Sequence, residues 1–246
     1  MVDDHAGHLP TSAIDFVNVF ECGLLHEGGD HFCGWFSSRN RNQPHIAHWN
    51  LSVLAQALLP LLDDNPEKAL ASGQAAIDTF PELYMTAYRN GMLEKLGLQE
   101  KRDDDEVLIQ DLLNLMQEES TDFTLTFRHL ADLTSSDTPP DESVASIFKL
   151  PGAFDPWLER WRQRLDDEPQ DANTRQERMY AVNPVYIPRN HLVEEAIEVA
   201  TRQGDFEAFN RLVDVLSQPG TFDPANARFA MPPLPEQIVR QTFCGT

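Results

Sequence analysis

Apolar residues along this chain recur at helical spacing. Over His45 to Leu62, the residues Ala47, Leu51, Leu54, Ala55, Leu58 and Leu62 fall on one stripe, widened by Trp49 and Leu61. That spacing predicts a helix with one face turned to a core. Pro66 stands just inside the next start, where a missing N–H is tolerated, and Leu70, Gly73, Ile77 and Phe80 continue a buried face. Pro81 opens a segment with Tyr84, Ala87, Tyr88 and Leu96. Asp104 to Glu118 predicts a helix burying Leu108, Leu112, Leu115 and Met116. After it, Ser120, Thr121 or Asp122 caps a helix with Phe123, Phe127, Leu130 and Ala131 inward. Beyond a linker from Ser135 to Asp141, Trp157, Leu158, Trp161 and Leu165 form another short apolar face.

The last two helices are the best marked. Val193, Ala196, Ile197 and Ala200 keep the i, i+3, i+4, i+7 spacing, and Phe206, Phe209, Leu212, Val213 and Leu216 repeat it. Between them, Gly204 suits a left-handed C-terminal cap and Asp205 can accept from the next helix's free amides. No run shows period-two alternation of β-branched residues, so strands are expected to be few or absent. The tail from Pro219, with Pro232-Pro233 and Pro235, reads as an extended segment and short helix. No repeat of constant period appears, which excludes a solenoid. The fold class expected is all-α.

Charge narrows the partners. The 246 residues carry 40 acids against 19 bases, a net charge of -21. Such a surface repels nucleic acid and anionic lipid, and no basic run offers a local exception. Asp103-Asp104-Asp105-Glu106 and Asp166-Asp167-Glu168 are read as solvated helix starts rather than calcium loops, whose spacing is missing around both. No stretch is apolar enough to span a membrane. Asp3, Asp4, His5 and His8 precede any apolar run, unlike a presequence. Three cysteines argue against a secreted disulfide framework, and the bacterial cytoplasm is the expected compartment. Cys22, His26, His31 and Cys33 include zinc ligand types, and His45 and His48 lie one helical turn apart. Their spacing fits no zinc ribbon or finger, so loop or surface histidines are the expectation. His129 and His191 are read as polar positions on solvated or half-buried helix faces.

Four ordered motifs carry a resemblance. They are Asn42-Gln43-Pro44 followed by Trp49-Asn50-Leu51; Asp122-Phe123-Thr124 followed by Thr126-Phe127-Arg128; Asn183-Pro184 followed by Arg189-Asn190, Leu192 and Ala196-Ile197; and Cys244, two residues from the end. In this order they resemble the C-terminal region of the selenoprotein O family, and four ordered matches are far more specific than one. The resemblance implies a kinase-like fold with ATP bound in an inverted orientation, and transfer of AMP to protein hydroxyls. Its C-lobe and helical extension correspond to residues 42–218, preceded by a divergent activation-loop-like segment, 1–41, and followed by a proline-rich tail, 219–246.

The resemblance also supplies candidate site residues. Ile14-Asp15-Phe16 resembles the family's metal-binding stretch, so Asp15 is the implied ligand of a magnesium or manganese ion bridging ATP phosphates. Val17-Asn18 departs from the Gly-Pro that should follow, which leaves an ordinary loop aspartate as the alternative. The family's glycine-rich loop, ATP-clamping lysine, partner acid and catalytic aspartate lie upstream of the matching region, so no catalytic residue is assigned. The resemblance further implies a redox partner for Cys244; Cys22 and Cys33 are the candidates, beside the alternative of an unpaired thiol. Arg128 and Arg189 are expected in buried salt bridges rather than on phosphate, and Asn190 as a helix cap.

Two functional expectations follow. One is the C-terminal portion of a protein adenylyltransferase, catalytically incomplete alone, whose partners are protein substrates and the missing N-terminal kinase-like lobe. The other is a non-catalytic acidic helical interaction or scaffold module. Apolar surface bare where that lobe would sit is a further expectation.

Overall fold

In the computed structural model, residues 43–134 and 151–239 are described, and among them every regular element is a helix. The all-α expectation holds. The first three helices are α1 (Gln43–Leu62), α2 (Pro66–Asp78) and α3 (Phe80–Lys95). Asn65 caps α2, its Oδ1 accepting from the amides of Glu67 (2.9 Å) and Lys68 (3.3 Å). Gly73 lets α2 lie close to α1, because a Cβ there would stand 3.2 Å from the Leu59 side chain. Next come α4 (Asp105–Glu119) and α5 (Phe123–Leu130), the latter running into a 3-10 turn at Ala131–Leu133. Of the three cap candidates before α5, Asp122 takes the role, accepting from the Leu125 amide at 2.8 Å.

α6 (Pro151–Asp166) and α7 (Ala172–Val182) complete the main core. Met92, Leu96, Leu112, Phe127, Leu130, Trp157, Trp161, Leu165 and Met179 pack there, all 2 % exposed or less. The two tryptophans stack with ring centres 5.8 Å apart. Each finds a carbonyl for its indole N–H: Trp157 donates to Leu108 O (2.8 Å) and Trp161 to Leu96 O (3.0 Å). These bonds tie α6 to α4 and to the end of α3 while satisfying donors that burial would otherwise orphan.

A smaller core follows. The segment from Asn183 to Arg189 leads into α8 (Asn190–Gln203) and α9 (Glu207–Leu216), and the chain then returns through α10 (Ala227–Ala230). Tyr186, Leu192, Leu212, Val215 and Phe229 form this second core. The amides of Val185 and Tyr186 both donate to Pro219 O, at 2.8 and 3.1 Å, which holds the tail's start against the turn. Gly204 is the left-handed cap of α8 (φ +66°), and Asp205 accepts from the Glu207 amide at 2.8 Å, both as the sequence predicts.

Four expectations need correction. Leu70, read on the buried face of α2, is exposed, because α2 turns Ala69 and Gly73 inward. The α1 stripe is not buried: Leu51, Leu54, Leu58 and Leu62 are exposed, because within the described residues α1 meets α2 and α3 over a narrow band that includes Ala55 and Leu59. On the last hairpin, Leu212 and Val215 face the core while Ile197, Phe206, Phe209 and Val213 are exposed. The packing seam of α9 is thus rotated from its most apolar face. The acidic runs are only partly solvated, since Asp105 and Glu168 are buried on either side of Arg164 (Nε to Asp105 Oδ1 and Nη1 to Glu168 Oε1, 2.7 Å each). Glu168 also accepts from the Gln99 amide at 3.0 Å, and its run lies at the end of α6, not at a helix start.

Candidate functional site

Residues from the second and third motifs, far apart in sequence, meet around the end of α3. Lys95, in the last turn of α3, is 3 % exposed, and Asn183, just after α7, is 1 % exposed. The Lys95 ammonium donates to Val182 O (3.3 Å) and Asn183 Oδ1 (3.4 Å), and Asn183 Nδ2 donates back to Lys95 O (3.0 Å). The same ammonium stands 5.8 Å from the centre of the Phe127 ring. Arg128, one residue on, donates from Nη1 to Tyr180 O (3.2 Å) and Asn183 O (3.1 Å), with its guanidinium 4.1 Å from the Tyr180 ring centre. Tyr180 donates its hydroxyl to Asp132. Burial first, then that hydrogen bond, push the Tyr180 phenol up to about 12, so it stays protonated.

The Arg189 guanidinium, 5 % exposed, forks onto Asp122 at 2.8 and 3.4 Å. One carboxylate therefore caps α5 and holds the arginine that opens α8, which couples the two cores. This is the buried salt bridge expected of Arg189. Arg128 differs: it is held by backbone carbonyls and a ring rather than by a direct carboxylate contact. Asn190 also differs, standing at the first helical position of α8 with Arg189 at the N-cap.

The bonds of Lys95, Arg128 and Arg189 run to the protein's own acceptors, so this cluster clamps helices together. Neither Lys95 nor Asn183 was assigned a partner from sequence. Lys95 follows Glu94 and reads as an ordinary charged helix end, so nothing in the local sequence marks it as buried.

An open cavity of about 240 Å³ lies beside this knot, lined by Glu94, Gly97, Gln99, Gln170, Arg178 and Val182 among others. Burial raises the Glu94 carboxyl above its ordinary range, with Arg178 opposing. At the second core, His191 Nδ1 is buried with no hydrogen-bond partner among the described residues. Burial, then Arg189, lowers that imidazole below its ordinary value. Asp15, Cys22, Cys33 and Cys244 lie outside the described residues, as do His26 and His31. Among the described residues no group of three or more His, Cys, Asp or Glu is placed to hold a metal ion. Likewise no described helix is long and apolar enough to cross a membrane.

Comparison with known proteins agrees with the motif order. A family profile described as "Protein adenylyltransferase SelO" matches residues 16–217. The chain belongs to the SelO family. Relatives named "Protein nucleotidyltransferase YdiU" include one from Bradyrhizobium diazoefficiens, 50 % identical over 205 residues, and one from Rhodopseudomonas palustris, 49 % identical over 205. Each of these alignments covers 83 % of this chain and 41 % of the relative. A third, from Rhizobium etli, is 44 % identical over 231 residues, covering 94 % of this chain and 45 % of the relative. This SelO-family chain therefore spans less than half the length of these relatives.

Proposed function

We propose that this chain is the C-terminal portion of a protein adenylyltransferase that transfers AMP from ATP to serine, threonine or tyrosine hydroxyls of protein substrates. The observation that carries the reading is the family match over residues 16–217. ATP and magnesium or manganese are the cofactors of the complete machinery, and Asp15 is the metal ligand this chain contributes. A hard carboxylate oxygen at that position suits a divalent ion that bridges phosphates. Alone the chain adenylylates poorly, because one carboxylate does not position, polarise and clamp a triphosphate. The proposed setting is the bacterial cytoplasm, with Cys244 and either Cys33 or Cys22 as a redox pair.

Calorimetric titration of the chain with ATP, with and without magnesium or manganese, tests this. Metal-dependent binding that disappears in Asp15→Ala supports the reading. Binding that is indifferent to metal and to Asp15 sinks the assigned ligand, and efficient label transfer from ATP by the isolated chain overturns its incompleteness. The second reading, an acidic helical interaction module, draws on Lys95, Arg128 and Arg189 being bonded to internal acceptors. It predicts no nucleotide binding with or without metal.

A further inference from the structure

Glu94 and Arg178 line one open cavity with opposite charges and do not meet. Glu94 stands in the last turn of α3 and Arg178 on α7, helices that pack together beside the Lys95–Asn183 knot. The cavity measures about 240 Å³, and Leu98, Ala181 and Val182 give it an apolar wall. Among the described residues neither side chain forms an ion pair, whereas Arg102, Arg160, Arg164 and Arg189 each grip a carboxylate. Glu94 Oε2 is buried with no hydrogen-bond partner among the described residues, and an acceptor left so calls for a donor from elsewhere. Burial raises this carboxyl with Arg178 opposing, the condition of a carboxylate that lacks a cation in contact. On the other side, Arg178 Nη1 donates to Gln170 Oε1 (3.4 Å) and Gln170 Nε2 to Gly97 O (2.7 Å), which fixes the guanidinium's place.

We infer that this cavity binds a small α-amino acid with an apolar side chain, its ammonium held by the Glu94 carboxylate and its carboxylate by the Arg178 guanidinium. Charge selects that class. A simple anion would suit Arg178 but meet the Glu94 carboxylate, and a simple cation would suit Glu94 but meet Arg178. A molecule carrying both charges a few atoms apart satisfies the two without repulsion. Arginine also takes a carboxylate in two parallel hydrogen bonds, which orients the ligand. Size agrees: the volume lies below the roughly 300–1,000 Å³ of pockets for drug-sized ligands, so it suits a molecule as small as leucine. Leu98, Ala181 and Val182 then receive the aliphatic side chain. Binding here needs neither ATP nor metal, so it stands independently of the adenylylation reading.

Calorimetric titration of the full chain, in buffer free of ATP and metal, uses L-leucine, isocaproate and isoamylamine as probes. The second lacks leucine's ammonium and the third its carboxylate. Saturable binding of leucine is expected, with each analogue weaker by at least about tenfold for the loss of one charged contact. Glu94→Gln and Arg178→Gln should each weaken leucine by at least about tenfold, with urea midpoints close to that of the unaltered chain. In Glu94→Gln the preference for leucine over isocaproate should also collapse, a change that mere loosening of the fold would not produce. No binding of leucine by the unaltered chain overturns the inference. Equal affinity for all three probes overturns it too, as does leucine binding that both variants leave unchanged. Each of these failures leaves the adenylylation reading untouched, because neither ATP nor transfer enters the measurement.

Discussion

Arg189 and Asp122 act as one unit, the carboxylate serving both the guanidinium and the α5 cap. Removing the arginine leaves a carboxylate, 20 % exposed on its side chain, that must serve its cap without its counter-charge. Breaking a buried pair from one side typically costs about 3–5 kcal/mol. Arg189→Ala is expected near the lower figure in urea denaturation, given the partial exposure of Asp122. Gly97 and Gly204 offer a sharper comparison, since both have positive φ (+74° and +66°). A Cβ at Gly97 would stand 2.8 Å from Met179 Sδ and 2.9 Å from Arg175 Cγ, whereas at Gly204 nothing lies within 4 Å. Gly204→Ala should therefore cost only the backbone strain, roughly 1–2 kcal/mol, and Gly97→Ala clearly more; thermal melts of the two variants decide it. His191 gives a pH dependence. Its pKa is lowered in the fold by burial first, then by Arg189, with Glu195 opposing and Arg228 adding to the effect. The unfolded chain thus binds the proton more readily. The neutral-histidine contribution is fully present above the ordinary value of 6.5 and is lost as pH falls from there through the folded value. In His191→Gln that part of the acid-side slope in chemical denaturation should vanish; an unchanged slope would assign it to other groups.

Helices here are joined by polar side chains buried at their ends as much as by apolar seams. α4 and α6 meet through the Asp105–Arg164–Glu168 bridge, in which the arginine is 10 % exposed and its partners 3 % and 0 % on their side chains. Arg164→Ala leaves two carboxylates facing one another in the interior. A loss of about 3–5 kcal/mol is expected, measured by urea denaturation. Trp161→Phe tests the neighbouring tie. It keeps most of the stacking surface but deprives Leu96 O of its indole donor, for an expected cost of about 1–3 kcal/mol. Helix identity along this stretch was readable from spacing, as were the α5 aromatics and the α6 tryptophans. The bridge was not. Asp105 and Arg164 are 59 residues apart, and each taken alone looks like a solvated residue on a polar face.

Two cores and one bare helix make up the described residues. The uncharged α1 face and the net charge of -21 act against each other in solution. At low ionic strength repulsion should keep the chain monomeric; raising salt shortens the Debye length from about 30 Å at 0.01 M to about 3 Å at 1 M and should unmask apolar association. Sedimentation equilibrium across that salt range should show association growing with salt and suppressed by Trp49→Glu/Leu61→Asp. Association independent of salt would remove repulsion from the account.

Spacing, caps and turn residues were enough to settle the all-helical class. Helical periodicity, Pro66, Asp122, Gly204 and Asp205 act within a few residues of chain, and such local physics is written where it acts. The motif order was enough to settle the family. What tertiary structure decided is which side of each helix faces a partner. The stripe chosen on α1 and the face chosen on α9 are apolar as expected yet exposed, because hydrophobicity says that a surface seeks cover and not what covers it. The pairing of Lys95 with Asn183, of Arg189 with Asp122, and of Arg164 with Asp105 likewise appears only when segments tens of residues apart are brought together. A buried charge selects its partner by proximity in space, for which linear sequence supplies no measure.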